Sequence, residues 1–419
     1  MNKLLVETDP SFLLLESNGG GYTFYNSIRH IGCRLTSVEV KILDLLYTYK
    51  DTEYILSGIA DSHKAVVKNA LNFIIDNGLL STEPLEEPRK KDNVTVPSNY
   101  YFHLTYRCNL KCSYCYNKEI RRNNFTEIGL DGWKTIIDKI APYAKFITMT
   151  GGEFMLHKDC LEIVKYIRQS IPGVYLAGIS NGMHDYKREK LENLFGYFNA
   201  MSFSCDSLER EGQRKGFQPE RFVSNFEWVK SRFPKLKLTI ASVQTKHNME
   251  DIKATARFCN SHECSFDKTI IIPENISDIS DMPTIEQQDL MTECNENSSE
   301  IKKLNSARFR CGAGKNTCSI DPTGNVYPCQ SLHYREFLMG NILNSDINDL
   351  KYVRDNSECM PSVDNVRVCS SCKVRYLCGG GCLATGYRTN GRRLDRNHLT
   401  CHLNYINSIE KLKMLNNRL

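Results

Sequence analysis

The sequence has no run of the roughly 18 apolar residues that a membrane-spanning helix needs, and its N-terminus offers no signal peptide. Residues Met1-Asn2-Lys3-Leu4-Leu5-Val6-Glu7-Thr8-Asp9 put acids where the apolar run of such a peptide would sit. Long blocks of one charge sign are missing too. The 54 basic and 49 acidic residues are interspersed and leave a net charge of only +5, so no basic stripe invites nucleic acid. These absences predict a soluble, cytoplasmic protein with neither a membrane nor a nucleic-acid partner. With 419 residues, 41% of them hydrophobic, the chain is too long for one ordinary core and too short for more than about three domains of common size.

Against these absences stand 18 cysteines. A reducing compartment disfavours a disulfide framework. Most of the cysteines sit in tight groups rather than across loops that need stapling, which favours metal.

Residues 1 to 82 open with short extended runs, Phe12 to Leu15 and Tyr22 to Tyr25, around the turn-forming Gly19-Gly20-Gly21. Thr36 and Glu39 can form a capping box, after which Val40, Leu43, Leu46 and Tyr47 recur on one helical face. A further helix from near Ser62, with Val66, Ala70, Phe73 and Ile74 on one face, stops at Asn77-Gly78. Strands followed by three short helices predict a winged-helix-like α+β module. Residues 83 to 97 are charged, interrupted by proline and without apolar period, and read as a linker.

From 98 to 305 the pattern changes to apolar runs alternating with five amphipathic helical stretches. The runs are Tyr100 to Leu104, Phe146 to Met149, Val174 to Ile179, Met201 to Phe203, Leu238 to Val243 and Thr269 to Ile272. Repeated strand-helix units predict an α/β fold with a parallel sheet in a partial barrel. Chemistry collects in such sheets where strands end and loops begin. Residues 306 to 419 have weak periodicity and abundant glycine and cysteine, and are expected to be stabilised by metal rather than by a large core.

Directly after the first barrel strand comes Thr105-Tyr106-Arg107-Cys108-Asn109-Leu110-Lys111-Cys112-Ser113-Tyr114-Cys115-Tyr116. The cysteine spacing would also put three small residues on one helical face. The polar flanks Asn109, Lys111, Ser113 and Asn117 and the place at a strand end oppose that reading and favour a loop. Three thiolates can bind three irons of a 4Fe-4S cluster and leave the fourth iron without a protein ligand.

This Cys-x3-Cys-x2-Cys, with Tyr114 before its last cysteine, resembles the signature of the radical S-adenosylmethionine (SAM) superfamily. The resemblance implies that Cys108, Cys112 and Cys115 hold a cluster whose open iron chelates SAM and whose electron cleaves it, giving a 5'-deoxyadenosyl radical. It implies a partial (β/α)6 TIM-like barrel, with further SAM contacts at Tyr114 and at successive strand ends: Gly151, Gly152 and Glu153, then Ser180 and Asn181, then Ser204 and Asp206. Glycines would let backbone approach the ligand, and Glu153 would pair with its ammonium group. Relatives often carry His-Asp and Arg-Gly after the Ser-x-Asp, whereas this chain reads Glu211-Gly212-Gln213-Arg214-Lys215-Gly216. Arg214 is therefore either a clasp for the SAM carboxylate or a solvated surface charge.

The C-terminal cysteines run from Cys311 through Gly324-Asn325-Val326-Tyr327-Pro328-Cys329 to Cys369, Cys372, Cys378, Cys382 and Cys401. This layout resembles the SPASM extension of radical SAM enzymes and implies two auxiliary 4Fe-4S clusters, three clusters in all. By position, Cys311, Cys318, Cys329 and Cys382 would hold the first, and Cys369, Cys372, Cys378 and Cys401 the second. Cysteine pairs so spaced also suit structural zinc sites. The remaining cysteines, Cys33, Cys160, Cys205, Cys259, Cys264, Cys294 and Cys359, read as small buried or idle residues.

SPASM enzymes mostly act on peptides or proteins, and the N-terminal layout resembles the leader-binding domain of peptide maturases. Such a domain captures a peptide as an added strand at a sheet edge. The expected activity is maturation of a ribosomally made precursor peptide by a thioether or carbon-carbon cross-link, with a small electron donor such as flavodoxin or ferredoxin as second partner. Two rivals remain. Sulfatase maturation to formylglycine is one, although that family carries Asp after the Gly-x4-Cys cysteine where this chain has Gln330. A cysteine-rich zinc-binding regulatory protein is the other.

Overall fold

The computed structural model describes residues 12–16, 21–26, 31–49, 51–76, 79, 96–118, 126–184, 193–272, 280–284, 287, 311–350, 363, 366–372, 374–390 and 401–413. Strands β1 (Phe12–Glu16), β2 (Tyr22–Asn26) and β3 (Ile31–Leu35) form an antiparallel sheet in chain order. Helices α1 (Ser37–Tyr49), α2 (Thr52–Ser57) and α3 (Asp61–Asp76) follow. The capping box forms: Glu39 N donates to Thr36 Oγ1 at 3.3 Å, and Thr36 N donates back to Glu39 Oε2 at 2.6 Å. Phe24 and Leu35 of the sheet share a core with Ile42, Leu43, Leu46, Ile55 and the inner face of α3.

That inner face differs from the expected one. Val67, Ala70, Leu71 and Ile74 are buried at i, i+3, i+4, i+7 spacing, while Val66 is 54% exposed. Two adjacent valines make the sequence pattern ambiguous by one position, and packing on α1 selects the row with Leu71. The expected helix stop at Asn77-Gly78 and most of the 83–97 linker lie outside the described residues.

Six strands, β4 (Asn99–His103), β6 (Phe146–Thr150), β7 (Tyr175–Ser180), β8 (Ala200–Ser204), β10 (Lys237–Gln244) and β11 (Ser265–Ile270), run parallel and adjacent in that order. The last begins four residues earlier than the apolar run Thr269 to Ile272 suggested, because its positions alternate between exposed and half-buried and include Ser265, Asp267 and Lys268. Helices α4 (Leu130–Ile140), α5 (Cys160–Ser170), α6 (Pro219–Arg232) and α7 (Met249–Ser261) alternate with them. A fifth, expected between β7 and β8, falls largely on residues 185–192, outside the described residues. The helices bury Trp133, Ile137, Ile163, Ile167, Phe222 and Phe226 in one core with Tyr100, Phe102, Ile147, Met149 and Phe203 from alternate strand positions. By the two-residue period, Tyr101, His103 and Thr150 face the other way, into the concave side.

The short strands β5 (Lys111–Cys112) and β9 (Arg214–Lys215) pair antiparallel, with Cys112 opposite Arg214. The free side of β4 accepts β12 (Thr317–Ile320) in parallel, and β13 (Asn325–Tyr327) and β14 (Gly340–Asn341) extend the sheet to nine strands. The C-terminal region thus departs from expectation at its start. Cys318, Ile320, Val326, Met339 and Ile342 belong to the main core, so these strands stand on apolar burial. Helices α8 (Arg367–Ser370), α9 (Arg375–Cys378), α10 (Leu383–Asn390) and α11 (Cys401–Lys413) complete the described chain. Tyr25 of β2 is fully buried against Val374, Leu377, Cys372 and Ile409, which ties the N-terminal sheet to these helices. Among the described residues no helix is long and apolar enough to cross a membrane.

If Leu71 lies inward and Val66 outward, Leu71→Ala should cost about 2–5 kcal/mol and Val66→Ala no more than about 0.5 kcal/mol. Amide hydrogen exchange of residues 31–76 in the full chain reads both, and equal effects would refute the assigned face.

Candidate active site at the strand ends

The segment from Thr105 to Tyr116 leaves the C-terminal end of β4 and crosses the mouth of the parallel sheet. Cys108 and Cys115 lie near enough to Cys112 to raise its thiol further, and Leu110 N donates to Cys108 Sγ at 3.4 Å. Burial pushes the Cys112 thiol up to about 11, opposed by the nearby Arg214. A thiol so placed stays protonated until a metal replaces the proton. Among the described residues no three His, Cys, Asp or Glu side chains gather as closely as one metal ion needs. A 4Fe-4S cube instead takes its cysteines at separate irons.

Every motif at a neighbouring strand end holds this segment. At the end of β6, Gly152 N donates to Thr105 O and Glu153 N to Arg107 O, both at 2.8 Å. A Cβ on Gly152 would lie 2.2 Å from Arg107 O, and one on Gly151 2.3 Å from Thr105 O. The glycines therefore admit the chain's own backbone, a role that the resemblance did not supply. Asn117 Nδ2 donates to Gly151 O at 3.1 Å. Glu153 is fully buried and accepts from Asn181 N at 2.9 Å, Ser180 Oγ at 3.1 Å and Met155 N at 3.5 Å. Its carboxylate locks β6 to β7, and burial pushes the carboxyl up to about 7 against the pull of these donors.

At the end of β7, Asn181 Nδ2 lies 3.6 Å from Cys108 Sγ and donates to Asn109 Oδ1 at 2.7 Å. Beyond Ser204, which ends β8, Asp206 accepts from the Tyr114 hydroxyl, from Val243 N at 2.9 Å and from Arg214 Nη2 at 3.1 Å. Arg214 Nε lies 3.0 Å from the same carboxylate. The guanidinium is 5.5 Å from the Tyr114 ring centre. Arg214 is only 7% exposed, so it is no solvated surface charge. It is a buried ion pair that fixes the loop between Cys112 and Cys115.

The two C-terminal cysteine groups are placed differently. Cys369, Cys372, Cys378 and Cys401 line one small cavity with Arg375, Gly380 and Gly381. Four cysteines around one space are a donor set that fits a cluster. Cys311 and Cys382 act electrostatically on Cys329, whose thiol burial pushes up to about 12. The expected fourth member, Cys318, is not brought to them. Its strand puts it on the core face opposite Tyr100, while Ser319 beside it faces Tyr101 and His333. Cys329 acts on Tyr101 and Tyr116, on the Ser319 side. Of the other cysteines, Cys33, Cys160, Cys205 and Cys259 are buried and Cys264 half-buried, whereas Cys294 and Cys359 lie outside the described residues.

Sequence reasoning missed the buried polar cluster between these groups. The Tyr106 hydroxyl and His333 Nδ1 share a hydrogen bond at 2.6 Å, and His333 Nε2 reaches Ser319 Oγ at 2.8 Å. His333 stacks 4.5 Å from Tyr327 and lies 4.4 Å from His103, whose two ring nitrogens are buried without hydrogen-bond partners among the described residues. Burial lowers His103 to about 3, so the ring is neutral. Strand alternation puts His103 on the concave face; nothing local pointed to His333.

Residues 102–259 match the radical SAM superfamily, and residues 311–373 match the SPASM iron-sulfur cluster-binding domain. The chain belongs to the radical SAM superfamily and carries its SPASM extension. Mycofactocin maturase MftC of Mycolicibacterium smegmatis is 25% identical over 322 residues, 70% of this chain and 80% of that protein. Streptococcus suis SuiB, solved bound to precursor peptide SuiA, superposes with a TM-score of 0.58 at 15% identity, over 94% of this chain and 99% of that one. The protein anSMEcpe with bound AdoMet gives a TM-score of 0.60 at 17% identity, over 75% and 92% respectively. At these identities the two solved structures establish the fold. This radical SAM enzyme shares it.

Asp206→Ala should leave Arg214 buried without its counter-ion and cost about 3–5 kcal/mol. Gly152→Ala should displace Arg107 and with it Cys108. Both should lower the iron bound after anaerobic reconstitution, and undiminished iron in either would sink the clamp role. The Glu153 carboxyl, usually near 4.5, holds its proton up to about 7. Its stabilising contribution is full below about 4.5 and is lost as pH rises through about 7. The stability difference between the protein and Glu153→Gln, followed by urea unfolding from pH 4.5 to 8, should therefore narrow with rising pH; a constant difference contradicts the buried carboxyl.

Proposed function

We propose that this enzyme matures a ribosomally synthesised precursor peptide, forming a thioether or carbon-carbon cross-link within it. The carrying observation is the order of parts. An N-terminal sheet-and-helix unit, a radical SAM barrel and a SPASM region occur in the order spanned by the 94% superposition on SuiB. The anSMEcpe superposition covers 75%. The mycofactocin maturase likeness supports the same substrate class.

A 4Fe-4S cluster on Cys108, Cys112 and Cys115, with SAM at its open iron, would supply a 5'-deoxyadenosyl radical for hydrogen abstraction. The protein's own residues do the rest. Gly151, Gly152, Asn181, Asp206 and Arg214 fix the loop, Ser204 faces SAM from its strand end, and Glu153 and Ser180, buried against each other, brace that wall from behind. Cys369, Cys372, Cys378 and Cys401 hold one auxiliary cluster, and Cys311, Cys329 and Cys382 hold another, completing three. A small flavodoxin or ferredoxin supplies electrons in the cytoplasm.

The N-terminal unit is a winged-helix-like leader-recognition domain over residues 1–82. Val38, Tyr49, Tyr54 and Val66, four of the eight exposed large apolar side chains among the described residues, belong to it. The Tyr49 and Tyr54 rings lie 5.2 Å apart. Exposed apolar side chains on the helices of a sheet-and-helix unit suit the docking of a peptide. Against formylglycine formation stands Gln330: a carboxamide does not accept a proton at neutral pH, so it cannot replace a carboxylate base.

Anaerobic reconstitution should give a brown protein with about twelve irons in three clusters of four; a colourless zinc protein would end this reading. Deoxyadenosine formation under reductant should vanish in Cys112→Ala. Where a short cysteine- or glycine-rich open reading frame is found beside the gene, coexpression with it should yield a peptide lighter by two hydrogens per link. A peptide of unchanged mass that also fails to bind the N-terminal unit would refute the substrate assignment.

A further inference from the structure

Arg388 lies in α10, the helix that begins directly after Cys382, and is 9% exposed. Its Nε donates to the Tyr334 hydroxyl at 2.8 Å and its Nη2 to Ser331 O at 3.1 Å. Among the described residues Nη1 is buried with no acceptor, and no carboxylate pairs with the guanidinium. A buried cation without a counter-ion costs several kcal/mol, so native structures rarely keep one. Ser331 connects this guanidinium to Cys329. Its N–H donates to Cys329 Sγ at 3.3 Å, while its carbonyl holds Arg388. The positive charge also acts on Cys329, Tyr116 and His333, all on the side where Cys311 and Cys382 converge.

We propose that Arg388 is the internal counter-ion of an anionic iron-sulfur cluster held by Cys311, Cys329 and Cys382, and that it raises the reduction potential of that cluster. The inference rests on the reading that these cysteines hold a cluster. Reduction adds one electron, and so one negative charge, to an already anionic body. A fixed positive charge in a poorly screened interior stabilises the reduced form more than the oxidised one. Arginine suits the task because it stays protonated at any working pH. A cluster so poised is the better acceptor for an electron left on the substrate.

The test uses the full chain with Cys108, Cys112 and Cys115 changed to Ala, so that only the auxiliary clusters report. Dithionite titration followed by electron paramagnetic resonance should show two one-electron potentials and about eight irons. Arg388→Gln should make reduction of one cluster about tenfold less favourable, about 59 mV for one electron, and leave the other unmoved. Arg388→Lys keeps the charge but loses the fork of hydrogen bonds, and should stay within about threefold of the parent. Loss of four irons in the Gln variant but not in the Lys variant supports the same role. Unchanged potentials in Arg388→Gln, or equal shifts in both variants, would overturn it. Only four irons in the parent would refute the cluster reading itself.

Discussion

Strand β4 is hydrogen-bonded along both edges, to β6 and to β12, and this double pairing organises the rest of the chain. One face of β4 drives Tyr100 and Phe102 into the core, with Trp133 5.0 Å from Phe102. The other presents Tyr101 and His103 to the concave side. Its C-terminal end delivers the segment with Cys108, Cys112 and Cys115 to the mouth of the sheet. Because β12 joins β4 in register, the first part of the SPASM region is built on the same core as the barrel. The neighbourhood of Cys329 is thereby placed beside Tyr101 and Tyr116.

The motifs at the other strand ends act on the protein before they act on any ligand. Gly151 and Gly152 let β6 touch the backbone of Thr105 to Arg107, Asn181 reaches Cys108, and Asp206 joins Tyr114 to Arg214. Each contact is polar and at least partly buried, so each is strong when satisfied and costly when broken. A cysteine loop fixed from four strands loses little freedom when it takes up a cluster. Pre-organisation of this kind aids binding more than further contacts would. Residues that a family pattern assigns to the cofactor are here equally parts of the wall that shapes its site.

The three regions are also joined physically. Tyr25 of the N-terminal sheet is buried among Val374, Leu377, Cys372 and Ile409, next to the cavity lined by Cys369, Cys372, Cys378 and Cys401. A peptide held on that sheet would rest on a unit anchored to the auxiliary region. Burial of one aromatic side chain contributes on the order of 1.5–3 kcal/mol, enough to bias the placement of a small domain.

Much of this was legible from residue order alone. The capping box of α1, the six parallel strands and the position of the cysteine triad follow from short-range patterns, because capping, strand period and thiolate chemistry each act within a few residues. The grouping of Cys369, Cys372, Cys378 and Cys401 was legible through resemblance to a known layout. The inner face of α3, the burial of Arg214, the separation of Cys318 from Cys329 and the pairing of Tyr106 with His333 were not. Each depends on which distant surface a residue meets: adjacent valines are equally apolar, an arginine is solvated or paired according to its neighbour, and a one-residue step along β12 changes the face. The amino-acid sequence by itself determined the chemistry available, a radical SAM triad with SPASM cysteines. Only the tertiary structure decided which of those side chains share a space, since that is set by sheet pairing between segments far apart in the chain.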